Sequence, residues 1–181
     1  MKPGSLWYGA LQTSRHRKLI YPEEPQYGTV MGSGDPHPMM QLGVNVDPRH
    51  GFAAADVAAS RVTWVRTVLK PLPDDLRPWF EDARRAGLKV LGVIARESMR
   101  RGWTYGQAAN HYYLTYRDLL DAVQVGNEAD HRSPSSWSMR PLRLRQLLRA
   151  FQRFRPSIPL VGPGLVSGDP SYLAQIEPDL N

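Results

Sequence analysis

Short apolar runs of about six residues recur through the chain, each followed by a longer segment with one apolar stripe, and this alternation constrains the fold more than any other feature. From residue 39 onward MQLGVNV, RVTWVRTVL, LKVLGVIA, AVQVGN and IPLVGPGLV read as strands. Between them lie FAAADVAAS, DDLRPWFEDARRAG, residues 105–121 and MRPLRLRQLLRAFQRFRP, and DPSYLAQI opens a fifth helix. In the second helix Asp74 and Asp75 sit at the positive end, and Leu76, Phe80 and Ala83 line one face. Ala109, Tyr113, Tyr116 and Leu120 have the spacing of a buried stripe in the third, as do Leu144, Leu147, Leu148, Phe151 and Phe154 in the fourth.

Strands joined by helices are parallel, because the crossover that returns a strand in the same direction needs a helix-length connection. The fold class is therefore α/β. An open nucleotide-binding sheet carries a glycine-rich phosphate loop after its first strand, and NVDPRHGF contains none. That points instead to a partial (β/α)₈ TIM barrel of about five parallel strands with outer helices over residues 39–181. Residues 1–38, rich in proline, glycine and charge, read as an N-terminal arm or linker.

Composition narrows the chemistry. The chain has 181 residues and no cysteine, which excludes disulfides, thiolate metal sites and cysteine nucleophiles. The net charge of +6 is modest, and the arginine series of the fourth helix, Arg140 to Arg155, reads as the solvated back of an outer helix. Nucleic acid is accordingly the less favoured partner. No apolar run reaches the length of a membrane span, and LWYGAL is too short for a signal-peptide core. The default expectation is a cytoplasmic protein, or a secreted one for a piece of a longer chain. His50 and His131 lack metal-ligand spacing, so neither metal nor cofactor is expected.

In α/β proteins ligands bind beyond the carboxyl ends of the strands. Those ends carry Asn45, Asp47, Arg49 and His50, then Arg66, then Arg96 and Glu97, then Asn127, Glu128 and Asp130, and finally Gly162 to Gly164 with Ser167. Carboxylates, guanidinium groups and amides converging there suit acid/base chemistry on a polar substrate. Helix caps and loop ion pairs account for the same residue types equally well. Trp103 and Trp137, in the loops after the third and fourth strands, are placed to stack on the flat face of a bound ligand or to pack within the loops.

Taken in order, LGVNV, WVRTVLK, ARRAGLKVLGVI, VQVGNEAD and IPLVGPGLVSGDPSYL resemble the first five strands of the clan A glycoside hydrolases, the (β/α)₈ cellulase, xylosidase and β-glucosidase families. The resemblance implies a hydrolase of β-linked glycosides, with an oligosaccharide or polysaccharide as partner. It implies Glu128 as acid/base, Asn127 as the contact to the sugar 2-hydroxyl, and Arg66 as electrostatic support. In that clan the nucleophile comes from strand seven, and this sequence stops at EPDLN, where a sixth strand would begin. The expectation is a truncated barrel, a glycosidase if a second chain or a C-terminal half completes it. The alternative is a non-catalytic carbohydrate-binding or scaffolding half-barrel.

Overall fold

The computed structural model describes residues 41–71, 75–131, 138–155, 157–167 and 169–176. The expected arm at residues 1–38, Asp74 and Trp137 lie outside them. The elements below all belong to the unit Leu42–Asn181.

Five strands alternate with five helices: β1 (Gly43–Asn45), α1 (Ala54–Ala59), β2 (Trp64–Val68), α2 (Arg77–Arg85), β3 (Lys89–Ile94), α3 (Tyr105–Tyr116), β4 (Ala122–Val125), α4 (Pro141–Gln152), β5 (Leu160–Val161) and α5 (Pro170–Ile176). The strands form one all-parallel sheet in the order β1-β2-β3-β4-β5. A doubly wound sheet reverses its strand order at a switch point. Here each strand lies beside its predecessor, and α2, α3 and α4 share one core layer with β2, β3 and β4, as right-handed crossovers between neighbouring strands require. This is the α/β arrangement of a partial barrel.

The alternation of side chains along each strand sorts them between the two faces. Val65 and Leu69 from β2 and its end, Val90 and Ile94 of β3, and Val123 and Val125 of β4 pack with Phe80 and Ala83 of α2, Tyr112 and Tyr116 of α3, and Leu144, Leu147, Leu148 and Phe151 of α4. Phe80 meets Tyr116 edge-on at 5.4 Å between ring centres. Gly92 keeps β3 close to this layer, since a Cβ there would stand 3.0 Å from a Leu69 methyl and 3.1 Å from one of Leu120. The other face carries Asn45, Arg66 and Gln124, with Leu91 and Val93 between the last two in the register. Both faces of β3 are buried from Val90 to Ile94, which is why its sequence is a continuous apolar run.

The second helix follows its expected pattern. Leu76, Phe80 and Ala83 are buried, and Asp75 Oδ1 accepts from the backbone N–H of Arg77 at 2.9 Å. The third departs from it. Its buried stripe is Ala108, Ala109, Tyr112 and Tyr116, one step around from the expected set. The helix ends at Tyr116, so Leu120 is buried from beyond its end, and Tyr113 sits at the margin with its ring stacked on Phe154 at 4.1 Å. Burial of the Tyr112 hydroxyl, which donates to the Ser98 carbonyl at 2.6 Å, pushes its pKa well above the ordinary phenol value. Among the described residues no helix is long and apolar enough to cross a membrane.

Candidate functional site

Arg66 lies in the middle of β2 on the face opposite the helices, and its guanidinium is the centre of a polar cluster. Its Nε donates to Gln124 Oε1 at 2.9 Å, its Nη1 to Asn45 Oδ1 at 3.1 Å, and its Nη2 to Asn127 Oδ1 at 2.6 Å. To reach Gln124 the side chain spans β3, whose Leu91 and Val93 lie between the two residues in the register. Gln124 is itself fixed, donating from Nε2 to the Gly126 carbonyl at 2.7 Å. Three strands thus contribute to one network at the carboxyl ends.

The backbone after β5 closes one side of it. A Cβ on Gly164 would come within 3.0 Å of Gln124 Nε2, 3.7 Å of Asn127 Oδ1 and 4.0 Å of Arg66 Nη2. A side chain there would press on the Gln124 amide, which would have to give by a few tenths of an ångström. Gly164 N–H donates to the Gly126 carbonyl at 3.3 Å, tying the two strand ends together.

Gly126, Asn127 and Glu128 form the turn that ends β4. Gly126 has φ of 94° and Glu128 a φ of 45°, so both lie in the left-handed region. For glutamate that conformation costs about 1–2 kcal/mol, and it leaves the carboxylate exposed while Asn127 beside it is buried. Arg61, in the turn after α1, shares the left-handed backbone, so the feature is not confined to this site. Glu128 acts on Arg66 through space. Burial lowers the Arg66 pKa, the negative charge of Glu128 draws it partly back, and the guanidinium remains a cation. Asn127 spends its carbonyl oxygen on Arg66, which leaves its amide N–H groups as donors.

Of the residues singled out in the sequence, the fold brings Arg66, Asn127, Glu128 and Asn45 together. Gln124 was not among them. Its signal was present as the lone polar residue in the apolar run AVQV, at a position that alternation assigns to the same face as Arg66. Trp103 goes elsewhere: it is half-buried, its ring 4.8 Å from His111 and 6.3 Å from Tyr112 of α3. Asp47 turns back on Arg49, accepting from its backbone N–H at 3.2 Å and its Nε at 2.6 Å. No group of three or more metal-ligating side chains occurs among the described residues.

Asp130 clamps the segment after β5. Its carboxylate accepts from the backbone N–H of Val166 at 2.7 Å, from that of Ser167 at 3.0 Å, and from the Ser167 hydroxyl. Burial alone would raise its pKa, but these donors outweigh it and hold the carboxyl below its ordinary value. Tyr172, buried near this charge and donating to the Met139 carbonyl at 2.6 Å, is pushed up to about 12. A carboxyl depressed on folding stabilises the native state above its unfolded pKa and loses that contribution as pH falls through the folded one. Asp130→Ala is therefore expected to cost about 1–3 kcal/mol near pH 7. Thermal melts of parent and variant should converge as the pH drops below about 4, near the ordinary aspartate pKa. A difference that stays constant down to pH 2 would show that the charge contributes nothing.

The chain matches no protein-family model, no curated protein and no solved structure, and what the cluster can do follows from its own side chains.

Proposed function

We propose that the carboxyl ends of β1 to β4 bind a β-linked glycan, and that Glu128 serves as the acid/base of a retaining glycoside hydrolase once a second carboxylate faces it. The observation that carries this reading is the turn Gly126-Asn127-Glu128. It sets an exposed carboxylate next to an amide whose oxygen is locked on Arg66 and whose N–H groups are left for a hydroxyl.

Glycoside cleavage with retention uses two carboxylates about 5–5.5 Å apart, one giving and later taking a proton while the other attacks the anomeric carbon. Glu128 suits the first role by position. Its neighbour Asp130 does not suit the second, because both of its oxygens are engaged by Val166 and Ser167. The nucleophile would come from a strand completing the barrel, in this chain's own assembly or in a second chain.

One observation favours a second reading, a half-barrel that binds sugar without cleaving it. Among the described residues all three hydrogen-bond acceptors on Arg66 are uncharged amides, a set that orients hydroxyls without supplying a nucleophile. Calorimetry with cellotriose and xylotriose, run beside an aryl-β-glycoside assay, separates the possibilities. Binding with turnover supports the hydrolase, and binding without turnover supports the half-barrel. Absence of both overturns the glycan reading.

A further inference from the structure

Arg66 is a cation that the fold has oriented without neutralising it. A guanidinium has five N–H groups, and three are committed, one each on Nε, Nη1 and Nη2, to Gln124, Asn45 and Asn127. One N–H on each terminal nitrogen therefore remains. Its acceptors come from β1, β4 and the turn after β4, and a Cβ on Gly164 would stand 4.0 Å from Nη2, so the chain after β5 passes close beside the group. The group is half-buried and cannot swing freely into solvent.

Other arginines of the same chain are neutralised directly. Arg77 reaches the Asp118 carboxylate at 2.9 Å, and Arg49 and Arg85 bond to Asp47 and Asp82. For Arg66 no ion pair occurs among the described residues, although it is more deeply placed than those surface arginines. A partly desolvated charge with only neutral partners keeps an unmet demand for an anion. The one negative group acting on it, Glu128, does so at a distance and is exposed.

We infer that Arg66 is an anion subsite that takes the carboxylate of an acidic sugar unit in a β-linked glycan, held by the two remaining guanidinium N–H groups. This rests on the glycan reading above and adds the substrate class to it. A single negative charge suits the site better than a phosphate dianion. There is one guanidinium to answer it, and Glu128 would repel a second charge. Asn127, through its amide N–H groups, can hold a neighbouring hydroxyl of the same unit while its oxygen stays on Arg66.

Calorimetry at low salt with two probes of equal length, cellotriose and its fully oxidised counterpart, β-1,4-linked triglucuronate, tests the assignment. The charged trimer should bind about 10- to 100-fold more tightly, the range of charge-assisted hydrogen bonds. Two variants locate the effect. Asn45→Asp keeps the shape of the side chain and puts a carboxylate on the guanidinium, and Arg66→Gln removes the cation; each should bring the ratio between the trimers to within about threefold. Melting curves of both variants establish that they are folded, and Asn45→Asp, being isosteric, keeps the test valid if Arg66→Gln does not fold. Equal affinity of the parent protein for the two trimers would overturn the anion subsite and leave the glycan reading standing. Binding of neither would remove the glycan reading and the subsite with it. Inorganic phosphate competing as strongly as triglucuronate would also overturn the assignment to a sugar acid.

Discussion

Gly126→Ala is expected to destabilise the protein by about 2–5 kcal/mol, the sum of a left-handed backbone strain of about 1–2 kcal/mol and an overpacking cost of about 1–3 kcal/mol. Both terms act at one atom. Gly126 has φ of 94°, and its new Cβ would meet a Leu144 methyl and the Pro163 ring at 2.9 Å each. Leu144 is fully buried in α4, and Pro163 stands next to Gly164, whose N–H is bonded to the Gly126 carbonyl, so neither can retreat cheaply. For a domain whose whole stability is of the order of 5–15 kcal/mol, that loss is large. Urea denaturation measures it, and Gly102→Ala is the control. Gly102 has φ of 85° with nothing within 4 Å of its Cβ position, so it should show the strain alone. Equal losses at the two glycines would refute the packing contribution. Because the Gly126 carbonyl accepts from both Gln124 and Gly164, the same substitution should loosen the Arg66 cluster.

Glu128→Gln is expected to lower cleavage of unactivated β-glycosides by about 10²–10⁴ in an assembly that holds the second carboxylate, the usual contribution of a positioned acid/base. The substitution is isosteric and the side chain is exposed, so folding should be unaffected and a rate change is attributable to chemistry. Substrates with leaving groups that need no protonation, such as dinitrophenyl glycosides, should lose much less in the step that breaks the glycosidic bond. Parent-like rates on unactivated substrates would remove Glu128 from the mechanism. Uniform losses regardless of the leaving group would assign it to binding.

Some of this site was readable along the chain and some was not, for reasons that particular residues make plain. Asn127 and Glu128 stand together at the end of an apolar run, so local pattern alone puts them at a strand end. Gln124 interrupts the same run, yet what a lone buried amide bonds to is unknowable without the strand two places away that supplies Arg66. Asp130 has the same position relative to β4 as a catalytic candidate would, and only the return of residues 166–167 shows it to be a clamp. Trp103 sits in a loop after a strand, as a sugar-stacking residue would, and the packing of α3 decides that its ring faces His111 and Tyr112. In the third helix the expected stripe runs on to Leu120, whereas the helix ends at Tyr116 and buries Ala108, Ala109, Tyr112 and Tyr116.

What the sequence determined by itself is the succession of strand and helix, the parallel sense that helical connections impose, and the strand ends at which polar residues collect. These follow from side-chain period and turn chemistry, which act over a few residues. The tertiary structure alone decided the register of the strands and the partners of Arg66, which lie 21, 58 and 61 residues away along the chain. Contacts over such separations depend on which strands pair and in what register, a choice made by the burial of the whole helix-facing layer rather than by any segment.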